Sequence, residues 1–430
     1  MIYLDHNAST PLDPRVRAAM REAEDVFGNA SSVHAAGQAA RRLVEEARDA
    51  VARLIGGGRG TVVFTSGATE ANALALRGAA AARPGRVVIS GAEHPSVREN
   101  AARRRAGEAA VVRVDPDPSG ELDPDRVLSA VGPDTALVSV MAASNEYGAL
   151  HPIARIAEGL RERAPGVLLH TDAVQAAGRI PVDAEAWGVD LLSLSAHKMH
   201  GPKGAGALWV RRGVALEPLI AGGGQEKRLR SGTENTAAIA GFGAAAAAAA
   251  STGAREDAER IRGLRDRLEA GVLSSVPGAR ALAASVPRLP NTSAILFDGV
   301  AGESLLIALD LEGVAVSVGS ACSSGTVSPS PALTALGLSR EEAMRVVRFS
   351  LGPTNTDWEI ASVLDVLPRT VARVRAAAEE SRRCATDDAR SRTTDEARSR
   401  TTDEARSRAT GEARPCATDE ARPCATEVPA

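Results

Sequence analysis

Residues 190–204 read DLLSLSAHKMHGPKG, an apolar run that breaks at Ser195 into hydroxyl, imidazole and amine groups and then a Gly-Pro turn. The same grammar recurs upstream. TVVF (61–64) runs into TSGATE, RVVI (86–89) into SGAEHP, ALVSV (136–140) into MAASNEYG, and GVLLH (166–170) into TDAVQ. ALWV (207–210) closes the series. Most of these runs lack strict apolar–polar alternation, as expected of strands covered on both faces. Helical patterns lie between several of them, for example over 70–77 and 153–163. The expectation is an α/β protein with a large, mainly parallel sheet. In such sheets the functional loops gather at the carboxyl ends of the strands, so polar chemistry there points to one shared site.

Each strand end offers a candidate and a plainer alternative. Lys198, beside Ser195 and His197, suits a Schiff base if its amine is partly desolvated and an anion is held nearby; a lone loop lysine is otherwise a surface residue. Asp172 at the end of an apolar strand needs a partner. It could hold a protonated ring nitrogen, or simply cap a following helix. Thr69 follows a strand-to-helix turn through Gly67, where free backbone N–H groups suit a phosphate. His94, fixed by the proline after it, could stack on a flat ring and move protons, or lie on the surface. Cys322, in the small-residue stretch SVGSACSSG (317–325), suits an exposed nucleophile on a loop more than inert packing. Arg348 inside the apolar strand RVVRFSLG would pair with a carboxylate, either of a substrate or of the protein itself.

Composition narrows the field. The chain has 430 residues with a net charge of −3, so two domains or one large one is expected, and a basic nucleic-acid surface is not. No run of about 20 strongly apolar residues suggests a membrane span. Ala237–Ala250 is too rich in Ala and Gly to count. The N-terminus MIYLDHNAST has no basic segment of a secretory signal, which gives a cytoplasmic expectation. Lys198, Lys203 and Lys227 are the only lysines among 51 basic residues. Cys322, Cys384, Cys416 and Cys424 form neither a disulfide framework nor a metal-ligand pair. From Ser381 the octad ARSRTTDE repeats with drift. Residues 381–430 hold ten Arg against ten Asp plus Glu and no Leu, Ile or Phe, so a disordered, solvated tail is expected.

In order along the chain, YLDHNAST (3–10), FGNASSVH (27–34), FTSGATEAN (64–72), EHPSV (93–97), SNEYG (144–148), HTDAVQAAG (170–178), SAHKMHGPKG (195–204), GGGQEKRLRSGTEN (222–235), GSACSSG (319–325) and RFSLG (348–352) resemble the cysteine desulfurases. These are pyridoxal 5'-phosphate (PLP) enzymes of the class V aminotransferase group. Single motifs are weak to moderate, but the ordered set over about residues 1–365 is specific. The resemblance implies fold type I, with a seven-stranded, mainly parallel sheet in a large domain (13–255). A smaller α/β domain (1–12 with 256–375) would carry the cysteine loop.

The resemblance also implies roles. Lys198 would hold PLP and later move the Cα proton; Asp172 would face the pyridine nitrogen, Gln175 the ring hydroxyl, and His94 the ring face. Thr69, Ser195 and His197 would bind the phosphate, joined by Thr233 of a partner subunit in a homodimer. Asn145 and Arg348 would orient L-cysteine, and Cys322 would take its sulfur as a persulfide. No resident metal is implied, although Cys322 could ligate a cluster transiently. The longer-loop form GSACSSG resembles the branch that hands sulfur to iron–sulfur scaffolds or tRNA-thiolation enzymes. The alternatives are a selenocysteine lyase or a transaminase on the same scaffold. The PTNT after RFSLG departs from the family pattern, as does the repeat tail.

Overall fold

Strands β1 (Gly60–Thr65), β2 (Arg86–Ser90), β3 (Val111–Val114), β4 (Thr135–Ser139), β5 (Leu168–Asp172), β6 (Leu191–Ser195) and β7 (Gly206–Arg211) form a seven-stranded sheet in a computed structural model of the chain. Their order is β1-β7-β6-β5-β4-β2-β3. Only β7 runs antiparallel to its neighbours. The structure describes residues 1–103, 111–323, 326–381 and 383, without the side chains of 320–327. Residues 1–375 form one unit, and of the second, 376–430, residues 376–381 are helical.

The apolar runs behave as two-sided strands because both faces are covered. Every residue of β4 and β6 is buried. Successive side chains point to opposite covers. Val88 and Trp209 join the core cluster under the helices Ala35–Leu54 and Thr236–Ala249, while Val87, Ile89, Leu208 and Val210 join the one under residues 68–82 and Pro95–Ala102. The Ala/Gly run of Thr236–Ala249 has a packing purpose. A Cβ on Gly243 would come within 2.6 Å of the Ala47 Cα, so small residues let the two helices approach closely. Among the described residues no single helix is long and apolar enough to cross a membrane; Thr236–Ala249 and Thr252–Ser275 reach that mark only together, across a 70° bend.

A second, antiparallel sheet has strands β8 (Ala279–Ala281), β9 (Thr292–Phe297), β10 (Ser317–Val318) and β11 (Val346–Ser350) in the order β10-β11-β9-β8. Leu264, Leu268 and Val272 of the helix Thr252–Ser275 cover it, with Ile360, Val363 and Leu367 of the helix that starts at residue 357. The N-terminus joins both sheets. Ile2–Tyr3 pairs with Val314–Ala315, His6 N–H donates to Ser350 O, and Thr10 N–H donates to His197 O beyond β6.

Several elements differ from expectation. β3 was not foreseen; its short VVRV lies at the sheet edge, where fewer apolar residues suffice. β5 ends at Asp172 rather than His170, so the carboxylate belongs to the strand itself. Two short neighbouring strands go to different sheets, Val314–Ala315 pairing with Ile2–Tyr3 and Ser317–Val318 with β11. The helix read over 70–77 spans 68–82 with a π-turn at Leu74–Gly78.

His6 is 1% exposed, and a Cβ on Gly352 would come within 2.1 Å of its imidazole Cε1. Gly352→Ala should therefore overpack this seam and lower stability by about 1–3 kcal/mol, read as a lower urea midpoint at unchanged m-value.

Candidate active site

The carboxyl ends of β1, β2, β4, β5 and β6 face one cavity of about 620 Å³. Thr69, His94, Asn145, Asp172 and Gln175 line it, as do Ser195, His197 and Lys198. Arg348 reaches it from β11 of the second sheet. Thr233 does not line it and is exposed. The backbone of Cys322 lies on Ser320–Ser323, paired with Thr326–Pro329 and opposite Val327, so a hairpin stands where a loop was expected. The Cys322 side chain is outside the described residues.

β6 ends at Ser195 and turns through a short 3₁₀ segment, Ala196–Lys198, which aims the lysine across the cavity floor. Lys198 Nζ donates to the carbonyls of Asn7 (2.6 Å) and Ala8 (2.8 Å). Burial and the Arg179 and Arg348 guanidiniums lower its pKa to about 7, against the opposing pull of Asp5 and Asp172. An amine that is half neutral at pH 7 is a competent nucleophile and base. Ser195 is 2% exposed and lines the cavity. The His197 imidazole, held 3.3 Å from Ser9 Oγ, is pushed down to about 4 by burial and by Lys198, so it is neutral near pH 7.

Asp172 Oδ1 accepts from Val174 N–H (3.0 Å) and Oδ2 from Asn72 Nδ2 (2.7 Å). The first bond resembles a cap, but a turn rather than a helix follows, which removes the helix-cap alternative. His94 is itself the N-cap of Pro95–Ala102, accepting from Ser96 N–H at Nδ1 (3.1 Å). Burial lowers its pKa, opposed by Asp172 and reinforced by Lys198 and Arg98. Gln175 Nε2 donates to Asn7 O (3.0 Å), and Arg179 Nη1 donates to Gln175 Oε1 (2.8 Å), which fixes the amide's orientation. Arg348 pairs with Asp5 (2.7 Å) and donates to Asn145 O (2.8 Å). Its Nε is buried without a partner among the described residues. The protein's own carboxylate thus takes one side of this arginine and leaves a donor over. Among the described residues no group of three His, Cys, Asp or Glu side chains is placed to hold a metal ion.

A family model described as aminotransferase class-V matches residues 2–363. The chain belongs to that family. The class-V chain is 45% identical over 380 residues to a cysteine desulfurase of Cereibacter sphaeroides, covering 87% of this chain and 97% of that protein. The solved NifS-like protein of Rickettsia africae superposes with a TM-score of 0.78 at 34% identity, covering 86% of this chain and 99% of that one. A second structure, SspA in complex with cysteine, gives 0.71 at 31% identity over 83% of this chain and 100% of that one.

This class-V enzyme is PLP-dependent, and the cavity fits the cofactor. It offers an amine of lowered pKa, a carboxylate at a strand end, an imidazole, the Ser195 hydroxyl, and an arginine whose Nε has no partner among the described residues. Sequence reasoning gave no role to Asn7, Asn72, Ser96 or Arg179. All but Arg179 lie inside quoted motifs, but a buried amide or hydroxyl that bonds to another residue's functional group has no periodicity or charge pattern of its own.

In cofactor-free protein, acylation of Lys198 followed by peptide mass spectrometry should reach half its maximum near pH 7, not near the usual lysine value of 10.5. Arg179→Met, which removes the neighbouring cation that lowers it most, should move that midpoint upward. An unmoved midpoint would exclude Arg179 from the lysine's electrostatics.

Proposed function

We infer that this chain is a cysteine desulfurase. It removes sulfur from L-cysteine, releases L-alanine, and leaves a persulfide on Cys322 for an acceptor. The observation that carries the reading is the meeting, in one cavity, of Lys198, Asp172 and His94 from the large sheet with Arg348 from the second sheet. Ser317 lies opposite Arg348 across the β10–β11 pair, so the hairpin bearing Cys322 leaves the second sheet beside that arginine.

PLP, when bound, supplies an electrophilic carbon for an amine and a ring that withdraws electrons from Cα. The chain's residues would do the rest. Lys198 holds the cofactor, and its neutral amine takes the Cα proton and returns it. Asp172 keeps the ring nitrogen protonated, Gln175 donates to the ring hydroxyl, and His94 covers the ring face. Thr69, Ser195 and His197 bind the phosphate, with Thr233 of a second subunit. Asn145 orients the substrate, and the spare Nε of Arg348 takes its carboxylate. The Cys322 thiolate attacks the substrate sulfur. An S–S bond forms as the Cβ–S bond breaks, the electron pair stays with the carbon skeleton, and that skeleton takes up protons and leaves as alanine.

The sulfur then passes to an acceptor protein, an iron–sulfur scaffold or a tRNA-thiolation enzyme, in the cytoplasm. The enzyme works as a homodimer in which 13–255 act as the large domain and 1–12 with 256–375 as the small one.

The purified enzyme should be yellow and produce alanine and sulfide from L-cysteine with a reductant. Cys322→Ala should stay yellow and make neither product; full activity in that variant would overturn the persulfide route. His94→Gln should keep the colour and lose about 10²–10⁴-fold in kcat. A chain ending at residue 383 should retain wild-type alanine production, because the repeat tail holds no Leu, Ile or Phe with which to build part of the site.

A further inference from the structure

We propose that Asn72 is a positioning residue that ties Asp172 to His94 through Ser96 and so keeps the His94 proton on Nε2. The proposal rests on the reading of Asp172 and His94 as cofactor-site residues. It adds two residues, Asn72 and Ser96, to which that reading gives no task.

The hydrogen bonds leave little freedom. The Asp172 carboxylate only accepts, so the Asn72 group 2.7 Å from Oδ2 must be its NH₂. The same nitrogen lies 2.8 Å from Ser96 Oγ, which therefore accepts the second N–H. The single hydroxyl hydrogen of Ser96 is then free to point at His94 Nδ1, 2.8 Å away. The Ser96 backbone N–H donates to the same Nδ1 at 3.1 Å. Two donors converge on Nδ1, so it carries the lone pair and the neutral ring is protonated at Nε2.

Asn72 shows what this arrangement costs. It is fully buried, yet its Oδ1 has no partner among the described residues. Exchanging the amide's nitrogen and oxygen would set an oxygen against the Asp172 carboxylate. Both N–H groups are committed to the chain from Asp172 to Ser96, and the carbonyl is left over. The charged groups around His94 are Asp172, which favours its protonation, and Lys198 and Arg98, which oppose it. The Ser96 hydroxyl, donating to Nδ1, adds to the neutral side.

The test uses ¹⁵N-histidine-labelled holoenzyme, with the His94 signals assigned by their loss in His94→Gln. The ring should be neutral with its proton on Nε2. Ser96→Ala removes one donor to Nδ1 but leaves the Asn72–Asp172 bond. It should move the acid limb of the kcat profile for alanine release upward by roughly half to one pH unit, with the pH titration of the visible band unchanged. Ser96→Thr should restore the limb. Asn72→Leu should move both the limb and the band's titration midpoint, and lower kcat with KM for cysteine within about threefold.

A proton on Nδ1 in the wild type, or an acid limb unmoved by Ser96→Ala, would overturn the proposal. If Asn72→Leu does not fold, the two Ser96 variants and the tautomer decide it. Failure of the desulfurase reading looks different: a wild type without colour or alanine production, whatever the histidine spectrum shows.

Discussion

The backbone carbonyl of Asn7 is the point at which the site is assembled. It accepts from Lys198 Nζ at 2.6 Å and from Gln175 Nε2 at 3.0 Å. The rest of the residue ties this oxygen to the second sheet. Its N–H donates to Ser350 Oγ, its Nδ2 to Thr292 Oγ1 and Asn145 O, and its Oδ1 accepts from Asn291 Nδ2. Asn7 is 1% exposed and all its polar groups are matched, so shifting any one partner strands another in a dry interior. One extended residue thereby holds the lysine and the glutamine of the large sheet in register with the strands that carry Arg348.

Charge explains why such a restraint is needed. Lys198, Lys203 and Arg348 line one cavity with Asp172 and Glu70, Arg179 adds a further cation acting on Lys198, and Asp5 pairs with Arg348. Unbalanced cations repel one another and favour a neutral lysine. They also leave room for the negative charge of a phosphate and a substrate carboxylate. The Asp5–Arg348 pair acts in the same sense, holding the guanidinium in place while its Nε–H finds no partner among the described residues.

The segment leading to Thr233 is restrained by a different device. Glu226, Lys227 and Arg228 have φ values of 44°, 58° and 66°, a left-handed run that side chains disfavour. The buried Glu226 carboxylate offsets that strain by accepting from both Arg48 Nη groups, at 2.8 and 2.9 Å, and from Phe64 N–H at 2.8 Å. The strained turn is thus clamped onto the edge strand β1, and Thr233 is presented outward, away from this chain's own cavity.

The apolar runs and polar strand ends were enough to read the mainly parallel sheet and the placement of Lys198, Asp172 and His94 at one edge of it. Those features are local: burial on two faces requires continuous apolar runs, and reactive groups must follow them in the chain. Tertiary structure alone decided the rest. It settled that the first ten residues bridge two sheets, that Arg348 is already half engaged by Asp5, and that Asn72 joins Asp172 to His94. Asn7 and Ser350 are 343 positions apart, and Asn72 and Asp172 are 100 apart. Whether a buried amide finds its partner depends on which loops the folded sheet brings together, and no pattern within a single segment carries that information.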